Sequence, residues 1–206
     1  TMRIWAFPAI YPYDYHGAKW HGIFAHRQYK ALIKCGADLK VIVPVLWYPP
    51  FPFYLLDKEW KKQADMNYPL QREYDGVMVY HPRISNKKPN RLERKSYVER
   101  YTNAVLQFFK DNKIKPDPAT DIVYSQWIPD SGLAQNIAKK LGLKSGILSI
   151  GDDVVVYPYE NERNRQWFIK TINEADWNFT VADYLGRETC KIAGGKVPYH
   201  IIHMGA

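Results

Sequence analysis

Short apolar runs alternate with amphipathic stretches along most of the chain. Met2 to Phe7 reads as a buried strand ended by Pro8, because every second residue or more is apolar and proline cannot continue the ladder. From Gly22 onward, Ile23, Phe24, Ala31, Leu32 and Cys35 recur at helical spacing, with Gly36 placed to close the helix. Leu39 to Val43 is a second strand, so the opening is a βαβ unit. Such units build parallel sheets with right-handed crossovers.

Residues 44–74 break the rhythm. They are rich in aromatics and proline, and the expectation is an irregular excursion with one short helical piece near Leu55 to Ala64. Gly76 to Tyr80 is a third strand, followed by a basic segment carrying Arg83, Lys87, Lys88, Arg91, Arg94 and Lys95. That segment merges into a helix ending near Lys113, whose apolar face holds Tyr97, Tyr101, Ala104, Val105, Phe108 and Phe109. The alternation then resumes. Strands are predicted at Asp121 to Tyr124, Gly146 to Ile150, Trp177 to Val181 and Tyr199 to His203, with helices at Asp130 to Leu141, Asn161 to Asn173 and Tyr184 to Cys190. About seven strands with helices between them predict an α/β fold, a doubly wound and mostly parallel sheet. Residues 1–206 read as a single domain, and Gly205-Ala206 directly after a strand reads as a cut at a linker.

The chain has 206 residues and is 46% hydrophobic, enough for a substantial core. Its net charge of +8 points to an anionic partner: nucleic acid, an acidic membrane surface or a phosphorylated substrate. The two cysteines, Cys35 and Cys190, form no metal or redox motif and suit a reducing, cytoplasmic compartment. Met2 is followed at once by a strand-like run, so no signal peptide is expected. Prolines 44, 49, 50 and 52 interrupt the most apolar stretch, which rules out a spanning helix there. There is no P-loop, no G-x-S-x-G elbow and no H-E-x-x-H, and His21 and His26 do not share a helical face as a zinc pair would; no metal is expected.

Candidate chemistry therefore comes from position. In an open parallel sheet, ligands collect outside the carboxyl ends of the strands. The loop after the first strand supplies His16, Gly17, Lys19, His21 and Gly22, and a glycine loop entering a helix can receive an anionic group or simply turn the chain. The loop after the Asp121 strand supplies Ser125, Gln126, Trp127 and Asp130. Trp127 beside Gln126 fits a sugar platform or ordinary packing. The loop after the Gly146 strand supplies Gly151, Asp152 and Asp153. These paired aspartates are the catalytic candidates. One could take hydrogen bonds from sugar hydroxyls or act as a base, or one could cap the next segment while the other faces water.

In this order the motifs resemble the N-terminal half of GT-B glycosyltransferases of the retaining, family 4 type, over nearly the whole chain. The resemblance rests on His21-Gly22-Ile23-Phe24 followed by Gln28, Ala31-Leu32, Gly36 and Val41 to Pro44; on Asp121 to Tyr124 with Gly132 and Ala138; on Gly151-Asp152-Asp153-Val154; and on Ile201 to Gly205. It implies a Rossmann-like, acceptor-binding half of a two-domain enzyme whose C-terminal, donor-binding domain lies beyond this chain. The enzyme would move a hexose-type sugar from a nucleotide-sugar, its co-substrate, to a glycan or lipid-linked acceptor, with no other cofactor. Gly22 would face the donor diphosphate, with leaving-group charge met by backbone N–H groups and basic side chains. Asp153 and Gly151 match the family aspartate and glycine. Ile150 stands where the family often carries histidine, and His16 or His21 is the candidate to replace it. The isolated chain is expected to be inactive.

The aromatic-proline loop (Trp47, Tyr48, Phe51, Phe53, Tyr54) and the basic stretch Arg83 to Lys95 raise a further expectation, peripheral contact with the inner face of an anionic membrane. Two rivals stand beside transfer: a GT-B-shaped nucleotide-sugar epimerase, and a basic module binding nucleic acid through Lys87 to Arg100. The apolar face of that helix and the lack of a groove-reading motif argue against nucleic acid.

Overall fold

A computed structural model describes residues 2–12, 21–47, 69–85 and 94–204. The strands are β1 (Arg3–Phe7), β2 (Asp38–Ile42), β3 (Val45–Trp47), β4 (Gln71–Tyr74), β5 (Val77–Tyr80), β6 (Arg83–Ser85), β7 (Asp121–Gln126), β8 (Lys144–Ser149), β9 (Trp177–Thr180) and β10 (His200–Ile201). The helices are α1 (Ile23–Lys34), α2 (Arg94–Asp111), α3 (Ile128–Leu141), two short turns α4 (Asp152–Val155) and α5 (Tyr157–Glu160), α6 (Glu162–Glu174) and α7 (Asp183–Ala193). Eight strands form one sheet in the order β10-β9-β8-β7-β1-β2-β5-β4, and all neighbours pair parallel except β4 with β5. This is the expected doubly wound α/β sheet, the Rossmann-like half of a GT-B fold.

The alternation along β1 shows how the layers form. Ile4 and Ala6 bury on one face with Tyr29 of α1, Val41 and Val79. Trp5 and Phe7 bury on the other with Tyr101, Val105 and Phe109 of α2 and with Leu133 and Ile137 of α3. A third cluster, Ile147, Phe168, Ile172, Leu185 and Ile192, seats α6 and α7 against β8. The apolar face of α2 is therefore inside the core rather than offered to a partner. Among the described residues no helix is long and apolar enough to cross a membrane.

Two parts of the irregular excursion are strands. Gln71–Tyr74 turns through Asp75-Gly76 onto β5 as an antiparallel edge strand, and Val45–Trp47 pairs with Arg83–Ser85 in a small second sheet. Neither has the length or apolar alternation that marks a buried strand, so pairing rather than pattern creates them. The helical piece at 55–64, the loop aromatics Tyr48, Phe51, Phe53 and Tyr54, and Lys87, Lys88 and Arg91 lie outside the described residues. Trp47, at the end of β3, is exposed.

The contact between α3 and α6 depends on a missing side chain. Gly132 lies under the Trp167 ring, and a Cβ there would run into the ring carbons and crowd Thr171. Trp167 also donates from Nε1 to the Pro129 carbonyl (3.1 Å). Gly132→Ala is thus expected to destabilise the chain by ~1–3 kcal/mol despite alanine's better helix propensity. Urea unfolding of the single variant and of Gly132→Ala with Trp167→Leu checks this: the second change should restore part of the loss, and an unchanged midpoint in the single variant would contradict the packing.

Candidate functional site

The strand order reverses at β1. The chain runs from β1 outward to β2 and β5, then returns to place β7 on β1's other side. The connections leaving β1 and β7 therefore go to opposite faces of the sheet, the topological switch point at which an open α/β sheet offers a crevice. From β1 the chain continues through Pro8 to Pro12, and from β7 it passes through Trp127 into α3.

Both ends of the opening loop are pinned beside this crevice. Gly22 has φ 72°, a left-handed conformation that suits glycine, and a Cβ there would strike the Ile10 carbonyl oxygen. Tyr11 is buried and shares a 2.7 Å hydrogen bond with Nδ1 of His26, whose Nε2 lies 3.1 Å from Asp75 Oδ2. Burial pushes the Tyr11 phenol well above its ordinary value. Arg72 donates to the Pro12 carbonyl and, from Nε, to His81 Nε2 at 3.2 Å. His81 Nδ1 meets the Val43 carbonyl at 3.0 Å, so His81 is a neutral ring with its proton on Nδ1, and burial lowers it to about 4. His16 and Gly17 lie outside the described residues; His21 is exposed next to Gly22.

On the β7 side, Ser125 and Gln126 end the strand rather than start the loop, because β7 pairs through Gln126 with Leu148. Ser125 is buried, its Oγ 3.4 Å from the Gly146 carbonyl, which makes it part of the sheet packing. Gln126 is tied across to α1: Gln28 Oε1 accepts from Gln126 Nε2 (2.5 Å) and from the Tyr124 hydroxyl (3.1 Å). The sequence reading included Gln28 only as a family match, since nothing in helical spacing shows that it reaches β7. Trp127 is half-buried with φ 71° and ψ 104°, a backbone state that costs a non-glycine residue ~1–3 kcal/mol. It is held there by its N–H to the Leu148 carbonyl (3.1 Å) and by its own carbonyl, which accepts from the N–H groups of Asp130 and Ser131.

The paired aspartates divide their work. Asp153 is fully buried, and its carboxylate accepts from the N–H groups of Ile150 (3.0 Å), Gly151 (2.8 Å) and Ile128 (3.2 Å). Burial pushes this carboxyl up, while those N–H groups oppose the shift. With both oxygens occupied by backbone, Asp153 holds the β8 turn to the start of α3, so the expectation of catalytic work there gives way to the capping alternative. Asp152, the next residue, is exposed. Both belong to the short helix α4 rather than to a loop, and Gly151 before them takes φ 154°.

The fold as a whole is shared with known structures. A sucrose-phosphate synthase structure from Thermosynechococcus elongatus superposes with TM-score 0.61 at 8% identity, covering 98% of this chain and 90% of that one. UDP-N-acetylglucosamine 2-epimerase from Rickettsia bellii gives 0.53 at 12% identity, with 96% of this chain covering 44% of that one. The N-terminal domain of trehalose-6-phosphate phosphatase from Candida albicans gives 0.51 at 11% identity, with 94% covering 43%. This chain thus spans less than half of those latter two. No family model and no curated protein matches the sequence. The chain has the fold of one half of a GT-B protein.

Within that half, one further group stands out. Asp130, in the first turn of α3, is half-buried, and burial alone raises its carboxyl to about 6 from an ordinary 3.8. No group of three or more His, Cys, Asp or Glu among the described residues is placed to share a metal. The linkage sign for Asp130 is that of a destabilising acid. Its cost is absent below pH 3.8, grows as pH rises toward 6 and is complete above that. Asp130→Asn is therefore expected to stabilise the chain by ~1–3 kcal/mol at pH 7.5 and by little at pH 4. Urea unfolding of variant against wild type at the two pH values measures this, with the opposite-signed His81 contribution common to both. Equal differences at both pH values would contradict the burial of an ionised carboxylate.

Proposed function

We propose that this chain is the acceptor-binding half of a GT-B glycosyltransferase that moves a sugar from a nucleotide-sugar to a glycan or lipid-linked acceptor. The observation that carries the reading is the reversal of strand order at β1/β7, with Gly22 opening α1 on one side, Trp127 opening α3 on the other, and the Gln28–Gln126 amide pair tying the two. Gly22 fits against the Ile10 carbonyl and leads into α1, whose first N–H groups can face a diphosphate, and the chain's net charge of +8 favours such an anion. Trp127, half-buried at the end of β7, offers an apolar ring against which a sugar face can pack. Among the described residues, exposed His21 and Asp152 are further polar groups of the rim for an acceptor. Retention of configuration, a hexose-type donor and a donor-binding second domain are the finer parts of this proposal. Peripheral docking to an anionic membrane through the segment around Trp47 and the basic stretch from Arg83 belongs with a lipid-linked acceptor.

The likeness to a protein named as a UDP-N-acetylglucosamine epimerase supports a second reading, epimerisation of a nucleotide-sugar without an acceptor. Full-length protein incubated with labelled UDP-glucose, UDP-N-acetylglucosamine or GDP-mannose separates the two. Transfer predicts label on a glycan or lipid acceptor and release of nucleoside diphosphate, with none from residues 1–206 alone. Sugar inversion with donor alone would establish the epimerase instead, and turnover by the isolated chain would overturn the half-enzyme assignment.

A further inference from the structure

α3 packs between α2 and α6, and the outer surface of the three helices carries a groove of about 630 Å³. Val98, Thr102 and Asn103 of α2 form one wall, and Arg163, Trp167 and Lys170 of α6 the other, with Asn136 and Lys140 of α3 between them. The groove starts beside Trp167, whose Nε1 donates to the Pro129 carbonyl (3.1 Å) in the first turn of α3, two residues from Trp127. It ends at Lys140 in the last turn, roughly 16 Å along the helix. Asn103 also lines a second hollow of about 570 Å³, which continues along α2 past Arg100 to Lys110 and reaches Arg83 of β6. Each hollow is thus lined by three cations, and among the described residues Glu99 is the one acid in either. Lys139 next door is paired with Glu174 at 3.3 Å, whereas among the described residues Lys140, Arg163 and Lys170 have no acid within ion-pair distance. A basic track of this length complements an extended polyanion.

The other lining groups decide which polyanion. Nucleic acid strands are held by aromatic rings on which bases stack. Trp167 is the one ring lining either hollow among the described residues, and it is packed on Gly132 with Lys170 Nζ 5.7 Å from its centroid. It is no open platform for a base. An acidic protein helix would lay apolar side chains on the floor of the groove, where Asn136 and Lys140 are polar. Asn136 Nδ2 donates to the Gly132 carbonyl (3.0 Å) and Gln166 Nε2 to Glu162, which leaves each amide oxygen to accept. Covering those oxygens with hydrocarbon costs their hydration and returns nothing. A glycan brings hydroxyls to the amides and acidic groups to the cations. Arg163 and Lys170 stand two turns apart on α6, so the positive charges are spread singly along the groove. That suits the single charges of sugar carboxylates better than a phosphate, which gathers several donors at one point. We infer that the groove binds a carboxylate-bearing glycan chain. The inference rests on the rim reading for that chain's role as acceptor, and names the acceptor as acidic.

The test is calorimetric titration of the full-length protein with hexamers of galacturonate, alginate and hyaluronan. Maltohexaose serves as the neutral control, and a hexaglutamate peptide and a thymidine hexanucleotide as the other anions. At least one acidic hexamer is expected to bind, about 10-fold or more tightly than maltohexaose, and to weaken as salt screens the cations. Lys140→Gln, Arg163→Gln and Lys170→Gln together should weaken it about 10- to 100-fold. These positions are exposed, so the urea midpoint should not move. Glu99→Gln removes the one acid and should tighten binding, a gain that misfolding would not produce. Binding of no acidic hexamer, equal binding by maltohexaose, equal binding by the triple variant, or tighter binding of the peptide or the oligonucleotide would overturn the inference. If the protein transfers sugar from a nucleotide-sugar but binds no acidic hexamer, only this inference falls. If acidic hexamers bind as expected but no acceptor is glycosylated, the groove stands and the transferase reading falls.

Discussion

The handedness of βαβ crossovers is the constraint on which the rest depends. A right-handed connection must place its helix on one face when the chain steps one way along the sheet and on the other face when it steps back. The chain steps one way from β1 to β2 and β5, then returns past β1 to β7, β8, β9 and β10. Accordingly α1 packs on the Ile4/Ala6 side, while α2 and α3 pack on the Trp5/Phe7 side. The two helix layers separate at β1 and β7, and their carboxyl ends cannot be covered by the same connection. The crevice follows from winding direction, before any side chain is considered.

Side chains then fix its lips. Asp153 gathers three backbone N–H groups from two different loops, so the β8 turn and the start of α3 move as one piece. Gln28 does the same between α1 and β7. On the other lip, His26, Arg72 and the glycine at 22 hold the segment from Ile10 to Pro12 in place. Groups that satisfy backbone in this way are not free for chemistry. Among the described rim residues, Asp152 and His21 remain exposed and Trp127 keeps its strained backbone. This division between holding and offering is what a preorganised binding rim requires.

Much of the fold was legible because period and punctuation agree. Each of the seven predicted strands is present, from β1 at residues 3–7 to β10 at 200–201, and the helices begin and end within a few residues of the glycines and apolar periods that mark them. What pattern could not show are elements made by pairing, such as β3, β4 and β6, whose short and mixed sequences acquire strand form only beside a partner. The site was legible as a list of loops but not as roles. Residue type does not distinguish Asp152 from Asp153; their difference arises because the turn gives Asp153 the N–H groups of Ile150 and Gly151, and the fold adds that of Ile128. Likewise the link from Gln28 to Gln126 spans 98 residues and has no local signature. Asp130 was visible as a rim residue, but the burial that raises its carboxyl is a tertiary fact.

The central claim is that a ligand enters at the β1/β7 reversal. Backbone hydrogen exchange of the full-length protein, with and without a saturating UDP-sugar and glycoside acceptor, tests it most directly. The account expects slowed exchange in peptides covering residues 21–28, 126–130 and 150–153, with little change along α6 and α7. Protection confined to those helices, with the three rim segments unaffected, would contradict it.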